Sequence, residues 1–261
     1  MFILRKLVQD IRQHKDLIYY LTVSELKSNT ARTYLGLLWW ILDPVLYMLI
    51  FYLLVQVILQ RGGEGYAVFL FVALIPLKWT TSCLVDGTKA IISNQRIIQQ
   101  VYVPKIVFIL SSLMVNTFKF AIGSVVMIIF IAASGIQLGP ESLYYLLIVP
   151  VQLIVLLAGM IFLAHLGVYV RDIRNAIQYV ARMLFFLSPV LYTMDQVPGK
   201  LASLLYLNPM TSLIVSYRSI LLKQGEPLFI HLLVMALVSL ILLYLALKLL
   251  FRYEKEYAKV I

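Results

Sequence analysis

The chain has 261 residues, of which 62% are apolar and 13% are charged, and its formal net charge is +10. Such an apolar composition exceeds what a soluble core requires and is typical of a chain surrounded by lipid. The basic residues lie between the apolar blocks rather than on one face, which argues against a nucleic-acid-binding protein. The single cysteine, Cys83, excludes an intramolecular disulfide and a CxxC metal or redox site.

The first 33 residues are predicted to form a cytoplasmic interfacial segment. Apolar residues recur at helical spacing from Ile3 to Ile11, while charged and amide side chains occupy the other face, as in an amphipathic helix at a membrane surface. A second candidate helix covers residues 16–29. The alternative is a solvated basic leader that only sets the orientation of the first span.

Apolar runs long enough to cross a bilayer follow in order. Together they predict an all-α polytopic membrane protein with six transmembrane helices and a single transmembrane domain. The six spans are residues 34–59, 66–85, 106–134, 143–170, 175–193 and 228–250. Residues 251–261 are then a cytoplasmic tail.

The stretch between the fifth and sixth spans, residues 201–222, is apolar but interrupted by Asn208-Pro209. A proline removes a backbone donor and biases the preceding residue away from helix. Irregular backbone at membrane depth is tolerated where protein or a water-filled cavity satisfies it. These residues therefore predict a re-entrant extracytoplasmic hairpin before the last span, which indicates a transport pathway.

The distribution of lysine and arginine predicts the orientation. With both termini inside, sixteen of the 22 basic residues lie on the cytoplasmic side and four, including Arg61 and Arg218, lie outside. Basic residues in short loops are retained in the cytoplasm. We therefore expect both termini of this multi-pass chain to be cytoplasmic.

Several short motifs follow one another along nearly the whole chain. They are "LGLLW" at residues 35–39 followed by Asp43-Pro44, "IPLKW" at 75–79, "SNQRIIQQVYVPK" at 93–105, "YVRDIRN" at 169–175, "FFLSPVLY" at 185–192 and "LNPMT" at 207–211. Taken in this order, they resemble the motifs of type-2 ABC exporter membrane subunits of the polysaccharide and polyol-phosphate class, such as the Wzm-type O-antigen and the teichoic-acid exporter permeases.

The resemblance implies a half-transporter that pairs with a second copy of itself and with two separate ATPase subunits in a bacterial inner membrane. The chain carries no phosphate-cradling loop, since Gly87-Thr88-Lys89 lacks the upstream glycine of that motif. We therefore expect no cofactor and no metal in this chain, with ATP and Mg²⁺ on the partner ATPase.

The resemblance also implies a coupling helix between the second and third spans, at residues 87–105, which docks into the ATPase. The alternative is a plain interfacial loop. At the inner end of the fourth span, Arg171-Asp172 forms either a second cytoplasmic contact or a local ion pair. The residues expected to contact the ATPase are Asn94, Gln95, Arg96, Ile97, Gln99, Arg171 and Asp172.

Charges inside spans are costly and usually face the protein interior. Asp43 and Lys78 lie at a similar depth of ~12 Å and are candidates for a pair. Lys119 and Arg182, with Lys27 and Arg32 at the inner rim, are candidates for attracting the diphosphate of a lipid-linked glycan. Snorkelling and structural pairing are the alternatives.

Aromatic rings with a polar edge suit the mixed apolar and hydroxyl surfaces of sugars, although interfacial aromatic belts occur in any polytopic protein. The resemblance implies that the first and fifth spans meet across a dimer as a lateral gate, in which Asp43-Pro44 and Ser188-Pro189 would kink the gate helices. The remaining candidates for the substrate path and gate are Trp39, Trp40, Pro44, Tyr47, Pro189, Tyr192 and Tyr206.

The preferred function is therefore the membrane-spanning subunit of an ATP-driven exporter of a polyprenyl-diphosphate-linked polysaccharide such as O-antigen. A teichoic-acid exporter permease is the nearest alternative. A gradient-driven carrier would need internal repeats and midplane carboxylates, which the chain lacks. A membrane glycan transferase would need an acidic or histidine cluster, and His14, His165 and His231 are scattered. We expect a transport subunit rather than an enzyme.

Overall fold

The computed structural model describes residues 2–31, 33–223 and 225–260, and within them the chain is helical throughout, with no strand. Arg32, one of the two cations predicted at the inner rim, lies outside the described residues. The eleven α-helices of this part are α1 (Phe2–Gln13), α2 (Lys15–Ala31), α3 (Trp39–Tyr52), α4 (Tyr66–Gly87), α5 (Gln95–Gln100), α6 (Ile106–Ala133), α7 (Tyr145–Tyr169), α8 (Ile173–Leu187), α9 (Gly199–Leu205), α10 (Pro209–Leu221) and α11 (Phe229–Val260).

Five of the helical stretches in the described residues are long and apolar enough to cross a membrane. Their ends lie close to the predicted spans, except that the last helix continues through the predicted tail to Val260. The first stretch is irregular, since a 3₁₀ turn precedes α3 and a π-helical segment follows it. The five stretches are Gly36–Ile58, Tyr66–Gly87, Ile106–Ala133, Pro140–Tyr169 and Phe229–Tyr257.

The predicted fifth span corresponds to α8, which has only 15 residues and ends at Leu187. Ser188 is extended because the ring of Pro189 disfavours the helical conformation of the preceding residue. A helix of this length measures about 22 Å. The membrane crossing predicted at residues 175–193, which would bring the number of crossings from five to six, therefore stays a prediction. The prediction that Pro189 kinks a helix is wrong, because Pro189 lies beyond the end of α8. Pro44 lies inside α3, as predicted.

The helix α4 forms the centre of the fold. In the most apolar segment of α4, 67% of the residues are buried within the chain, compared with 6% in the corresponding segment of the first span. A helix that is apolar on all sides is covered either by other helices or by lipid, and α4 is covered mainly by other helices. The first span instead leaves most of its surface for lipid or another protein.

The helices α7 and α11 run parallel. At one end the Tyr144 ring, just before α7, lies 5.2 Å from the Phe229 ring, and at the other end His165 Nδ1 lies 2.7 Å from the Tyr257 hydroxyl. Residues 170–228 therefore begin at one end of this helix pair and finish at the other.

Both predicted amino-terminal helices are present, but two residues of the predicted polar face of the first one, Lys6 and Asp10, do not face away from the protein. Lys6 and Asp10 turn toward α11, where Lys6 Nζ lies 2.7 Å from Glu254 and Asp10 is buried. Leu4 and Val8 are exposed instead. The difference arises because the C-terminal helix supplies a buried carboxylate that the local sequence does not show.

The predicted hairpin at residues 201–222 consists of α9 and α10, separated at Asn208. The Asn208 side chain accepts a hydrogen bond from the Met210 amide and donates one to the Ser188 hydroxyl at 3.0 Å, so it caps α10 and anchors it to the end of α8. Arg218, which was counted as an outside loop residue, lies within α10 and is 4% exposed.

Candidate substrate path and coupling site

An ion pair joins the first span to the central helix. Lys78 Nζ on α4 lies 2.7 Å from Asp43 Oδ2 on α3 and 5.2 Å from the centre of the Tyr47 ring. Both charged side chains are about half exposed within the isolated chain. The pair was expected from the similar depths of the two residues, and it fixes the position of a span that otherwise packs lightly on its own chain.

A cavity of about 270 Å³ lies on the α6 side of this pair. Lys119 Nζ lies 5.9 Å from the centre of the Trp40 ring, a distance at which the ring attracts a cation. The lining therefore combines a cation with large aromatic surfaces. The candidate residues that meet here are Trp39, Trp40, Asp43, Pro44 and Lys119.

A second cavity of about 530 Å³ lies on the α8 side of the pair. The Arg182 guanidinium lies 5.6 Å from the Tyr179 ring centre, and Phe51 stacks on Phe185 at 4.6 Å. Asp86, which pairs with Lys89 outside the cavity, also contributes to the wall. The candidate residues that meet here are Pro44, Tyr47 and Arg182.

Neither Lys119 nor Arg182 belongs to an ion pair among the residues that the structure describes. Each faces one of the two cavities beside aromatic rings. Such a setting can attract a phosphate group and pack against the apolar faces of sugar rings. The two cavities thus bring together most of the residues predicted for the inner part of a path.

The other path candidates lie away from both cavities. Lys27 is exposed on α2, and the Tyr206 ring packs on His231 at 5.2 Å. The carbonyl groups of Pro189 and Tyr192 accept hydrogen bonds from Arg218. Tyr206, Pro189 and Tyr192 therefore belong to the packing around α9 and α10 rather than to either cavity.

Sequence reasoning missed the role of Arg218. Its guanidinium donates to the carbonyl oxygens of Phe69 at 3.2 Å and Val190 at 2.7 Å, in addition to those of Pro189 and Tyr192. The planar fork of an arginine suits several acceptors at once. Arg218 thereby fastens the irregular segment after α8 to the start of α4. The signal that could have found it is its place one turn after Ile214 on the apolar face of α10.

The predicted coupling loop contains a 3₁₀ turn and the short helix α5. The Asn94 side chain donates to the Ala90 carbonyl at 2.9 Å, and Ile98 is buried, which anchors the helix. The polar candidates point outward: Gln95, Arg96 and Gln99 are exposed, whereas Ile97 is half-buried. A small rigid helix with an exposed polar face suits docking onto a partner.

Arg171 and Asp172 are both exposed, and they form no ion pair with one another in the described part of the chain. A second cytoplasmic contact and a local ion pair both stay predictions for these two residues. The Asp172 carbonyl accepts the first backbone hydrogen bonds of α8, from Asn175 and Ala176. Both side chains stay available for a second cytoplasmic contact.

A buried charge cluster joins the two ends of the chain to the coupling loop. Glu254 and Lys105 are 4% and 2% exposed, and Lys105 Nζ donates to the Val103 carbonyl at 3.1 Å. Burial raises the pKa of Asp10, an effect that Lys6 partly offsets. Burial lowers the pKa of the Lys105 ammonium. No sequence signal marks this cluster, because its members are distant along the chain.

The five long apolar helical stretches in the described residues are those of a multi-pass membrane protein. Residues 16–222 match the ABC-2 type transporter family, and the chain belongs to that family. Permeases of this family in general work with an ABC ATPase. The resemblance noted from the sequence motifs is therefore confirmed.

Similar proteins carry a consistent description. The chain is 30% identical to the O-antigen export system permease protein RfbA of Myxococcus xanthus, over 97% of this chain and 98% of that protein. It is 25% and 26% identical to two proteins of the same name from Klebsiella pneumoniae, over 80% of this chain and 81% of each.

Proposed function

We propose that this chain is the membrane-spanning subunit of an ATP-driven exporter that moves a polyprenyl-diphosphate-linked polysaccharide of the O-antigen type across a bacterial inner membrane. Two copies of the chain and two ATPase subunits form the complex, and ATP and Mg²⁺ bind to the ATPase. The names of the three similar permeases support export of an O-antigen.

The observation that carries this proposal is the pair of aromatic cavities on either side of the Asp43–Lys78 pair. Each cavity holds a cation, Lys119 or Arg182, without an ion-pair partner among the described residues. A diphosphate needs such charges at the inner part of its path, and the attached sugars need flat apolar surfaces with polar edges. The cavities offer both in one place.

In the proposed topology α8 to α10 supply the sixth crossing. The parallel packing of α7 and α11 supports it, because residues 170–228 must carry the chain from one end of that pair to the other. Contacts of Met210 with Thr80 and of Arg218 with Phe69 support a hairpin that re-enters from the outer side. Six crossings put both termini in the cytoplasm, as the distribution of basic residues predicts.

In the proposed dimer the first span faces the second copy. Only 6% of the residues in its most apolar segment are fully buried by its own chain, which supports a protein neighbour at this position. The stacked Phe51 and Phe185 rings bring α3 and α8 together at the same face. A lateral gate formed by these two helices would open directly onto the second cavity.

Neutralising the two cavity cations tests the function. In a strain that lacks its own exporter permease, Lys119→Gln together with Arg182→Gln should lower surface polysaccharide at least about tenfold, since each lost phosphate contact removes a charge-assisted hydrogen bond. The amount of surface O-antigen relative to permease in the membrane is the measurement. Lys255→Gln with Lys259→Gln, exposed at the end of α11, is the matched control. Undiminished export by the cavity variant would refute the proposed path.

A further inference from the structure

A third cavity lies on the opposite face of α4 from the proposed path. It has a volume of about 730 Å³ and is enclosed by α4, α7, α10 and α11, with Leu184 of α8 as a further wall residue. From α4 it takes Thr80 and Leu84, whereas Lys78 and Ser82 line the first two cavities. Cavities of about 300–1,000 Å³ accommodate small-molecule ligands. This one is large enough for a hydrocarbon chain.

The wall of this cavity is apolar and opens toward the bilayer. Its polar residues near the start of α10 are already satisfied: Gln152 donates to the Pro76 carbonyl and to Thr80, and accepts from Tyr217. This network therefore leaves no unsatisfied polar group of its own at the end of the cavity near Gln152. Three wall residues are about half exposed and mark the opening, namely Phe162, Leu242 and Leu245.

Two cations stand at the other end of the cavity. Lys248 and Arg252 are four residues apart on α11, so they lie on one face of the helix. They follow Phe229 by about 28 Å and 34 Å along the axis. Since the hydrocarbon core is about 30 Å thick, both side chains reach the phosphate level of the inner leaflet. The residues that line the cavity include no carboxylate.

We propose that this cavity binds one anionic phospholipid of the inner leaflet. An acyl chain fills the space between α4, α7 and α11, and the phosphate lies against Lys248 and Arg252. Two cations without a carboxylate favour a headgroup of net negative charge over a zwitterionic one. The bound lipid contacts Pro209 and Met210 and so supports the start of α10. The site is independent of the exported substrate.

Native mass spectrometry of the delipidated full-length protein, titrated with phosphatidylglycerol or phosphatidylcholine, tests the site. We expect one tightly held phosphatidylglycerol per chain and much weaker binding of phosphatidylcholine. Lys248→Gln with Arg252→Gln should weaken phosphatidylglycerol binding about 30-fold, because the loss of each cation near the phosphate should weaken binding by a similar factor of about 5. Both residues are exposed, so folding is expected to be preserved.

A second variant probes the apolar part. A Cβ at Gly159 would meet only Leu84 at 3.6 Å, so Gly159→Leu extends into the cavity without displacing backbone. It should weaken phosphatidylglycerol binding while both headgroup cations remain. Lys255→Gln with Lys259→Gln is the control on the same helix and should bind as the wild type does. Equal binding of the two lipids, full affinity in Gly159→Leu, or displacement of phosphatidylglycerol by lower concentrations of polyprenyl phosphate would each overturn the proposal.

Discussion

At the scale of single residues, Arg218 decides whether the segment after α8 keeps its shape. Three of the four carbonyl groups that it binds belong to irregular backbone, which has no helical partners of its own. A buried charge without such acceptors would be costly. The residue therefore stabilises a region that the hydrophobic effect alone does not order.

Arg218→Lys should destabilise the protein by about 2–3 kcal/mol, since an ammonium cannot donate to all these acceptors at once. The unfolding temperature in detergent is the measurement. Arg61→Lys, an exposed arginine in the loop before α4, is the matched control and should leave this temperature unchanged. Equal unfolding temperatures for the two variants would show that Arg218 is not a clamp.

Arg218 also shows what single-sequence reasoning can recover. Its charge suggested a loop on the outer side, because charge and loop position usually go together. The depth of Asp43 and Lys78 could be counted from the ends of their spans, and the ion pair followed. The partners of Arg218 could not be found by counting residues in this way, because they are backbone carbonyls about 30 and 150 residues away in sequence.

At the scale of helices, the position of the coupling loop depends on a close approach between α4 and α7. A Cβ on Gly167 would overlap the carbonyl of Thr88, the residue that begins the loop after α4. Only glycine lets the two backbones come this near. The geometry of α7 is thereby linked directly to the loop that carries α5.

Gly167→Ala should therefore lower the unfolding temperature and reduce export, although alanine favours helix by about 1 kcal/mol elsewhere. Gly159→Ala lies on the same helix, where an added Cβ makes an ordinary contact at 3.6 Å, and it should be neutral or stabilising. Thermal unfolding of both variants is the measurement. A Gly167→Ala protein as stable as Gly159→Ala would contradict the close packing.

The exposed face of α5 gives the third prediction. Gln95→Ala with Gln99→Ala should abolish co-purification of the ATPase with the permease, because both side chains are exposed and support no packing in this chain. The yield and unfolding temperature of the permease should stay unchanged. Gln137→Ala, in the loop after α6, is the control. Retention of the ATPase by the double variant would assign the contact to another surface, such as Arg171 and Asp172.

At the scale of the whole molecule, the order of the spans and their approximate ends could be read from the sequence, because runs of apolar residues are set by bilayer thickness. Tertiary contacts could not. The face of α1 was assigned from its own periodicity, yet Lys6 and Asp10 turn inward because Glu254 lies there. The two cavities of the path could be anticipated as residue types but not as two separate spaces.

The charge cluster predicts a dependence of stability on pH. Burial raises the pKa of Asp10 in the folded protein above its ordinary value of 3.8, so the unfolded state releases this proton first. Stability contributed by this group is therefore lost as the pH rises from 3.8 through the folded pKa. Glu254 also raises this pKa, whereas Lys6 and His14 lower it.

Asp10→Asn should accordingly show a smaller fall of the unfolding temperature with rising pH than the wild type. The difference between the two proteins, measured over the acidic range up to neutral pH, isolates the contribution of Asp10. Asp16→Asn, an exposed acid at the start of α2, should follow the wild type. Parallel curves for Asp10→Asn and wild type would show that the carboxyl is not desolvated.

The unbroken course of α11 has a mechanical consequence. Its 32 residues make a rod of about 48 Å, considerably longer than the hydrocarbon layer that it crosses. A rotation of the helix by about 5° about its amino-terminal end would displace its carboxy-terminal end by about 4 Å. Glu254 lies near the carboxy-terminal end and forms an ion pair with Lys6. A rearrangement beside α10 would thus displace α1 through the single stiff helix α11, without a relay of intermediate side chains.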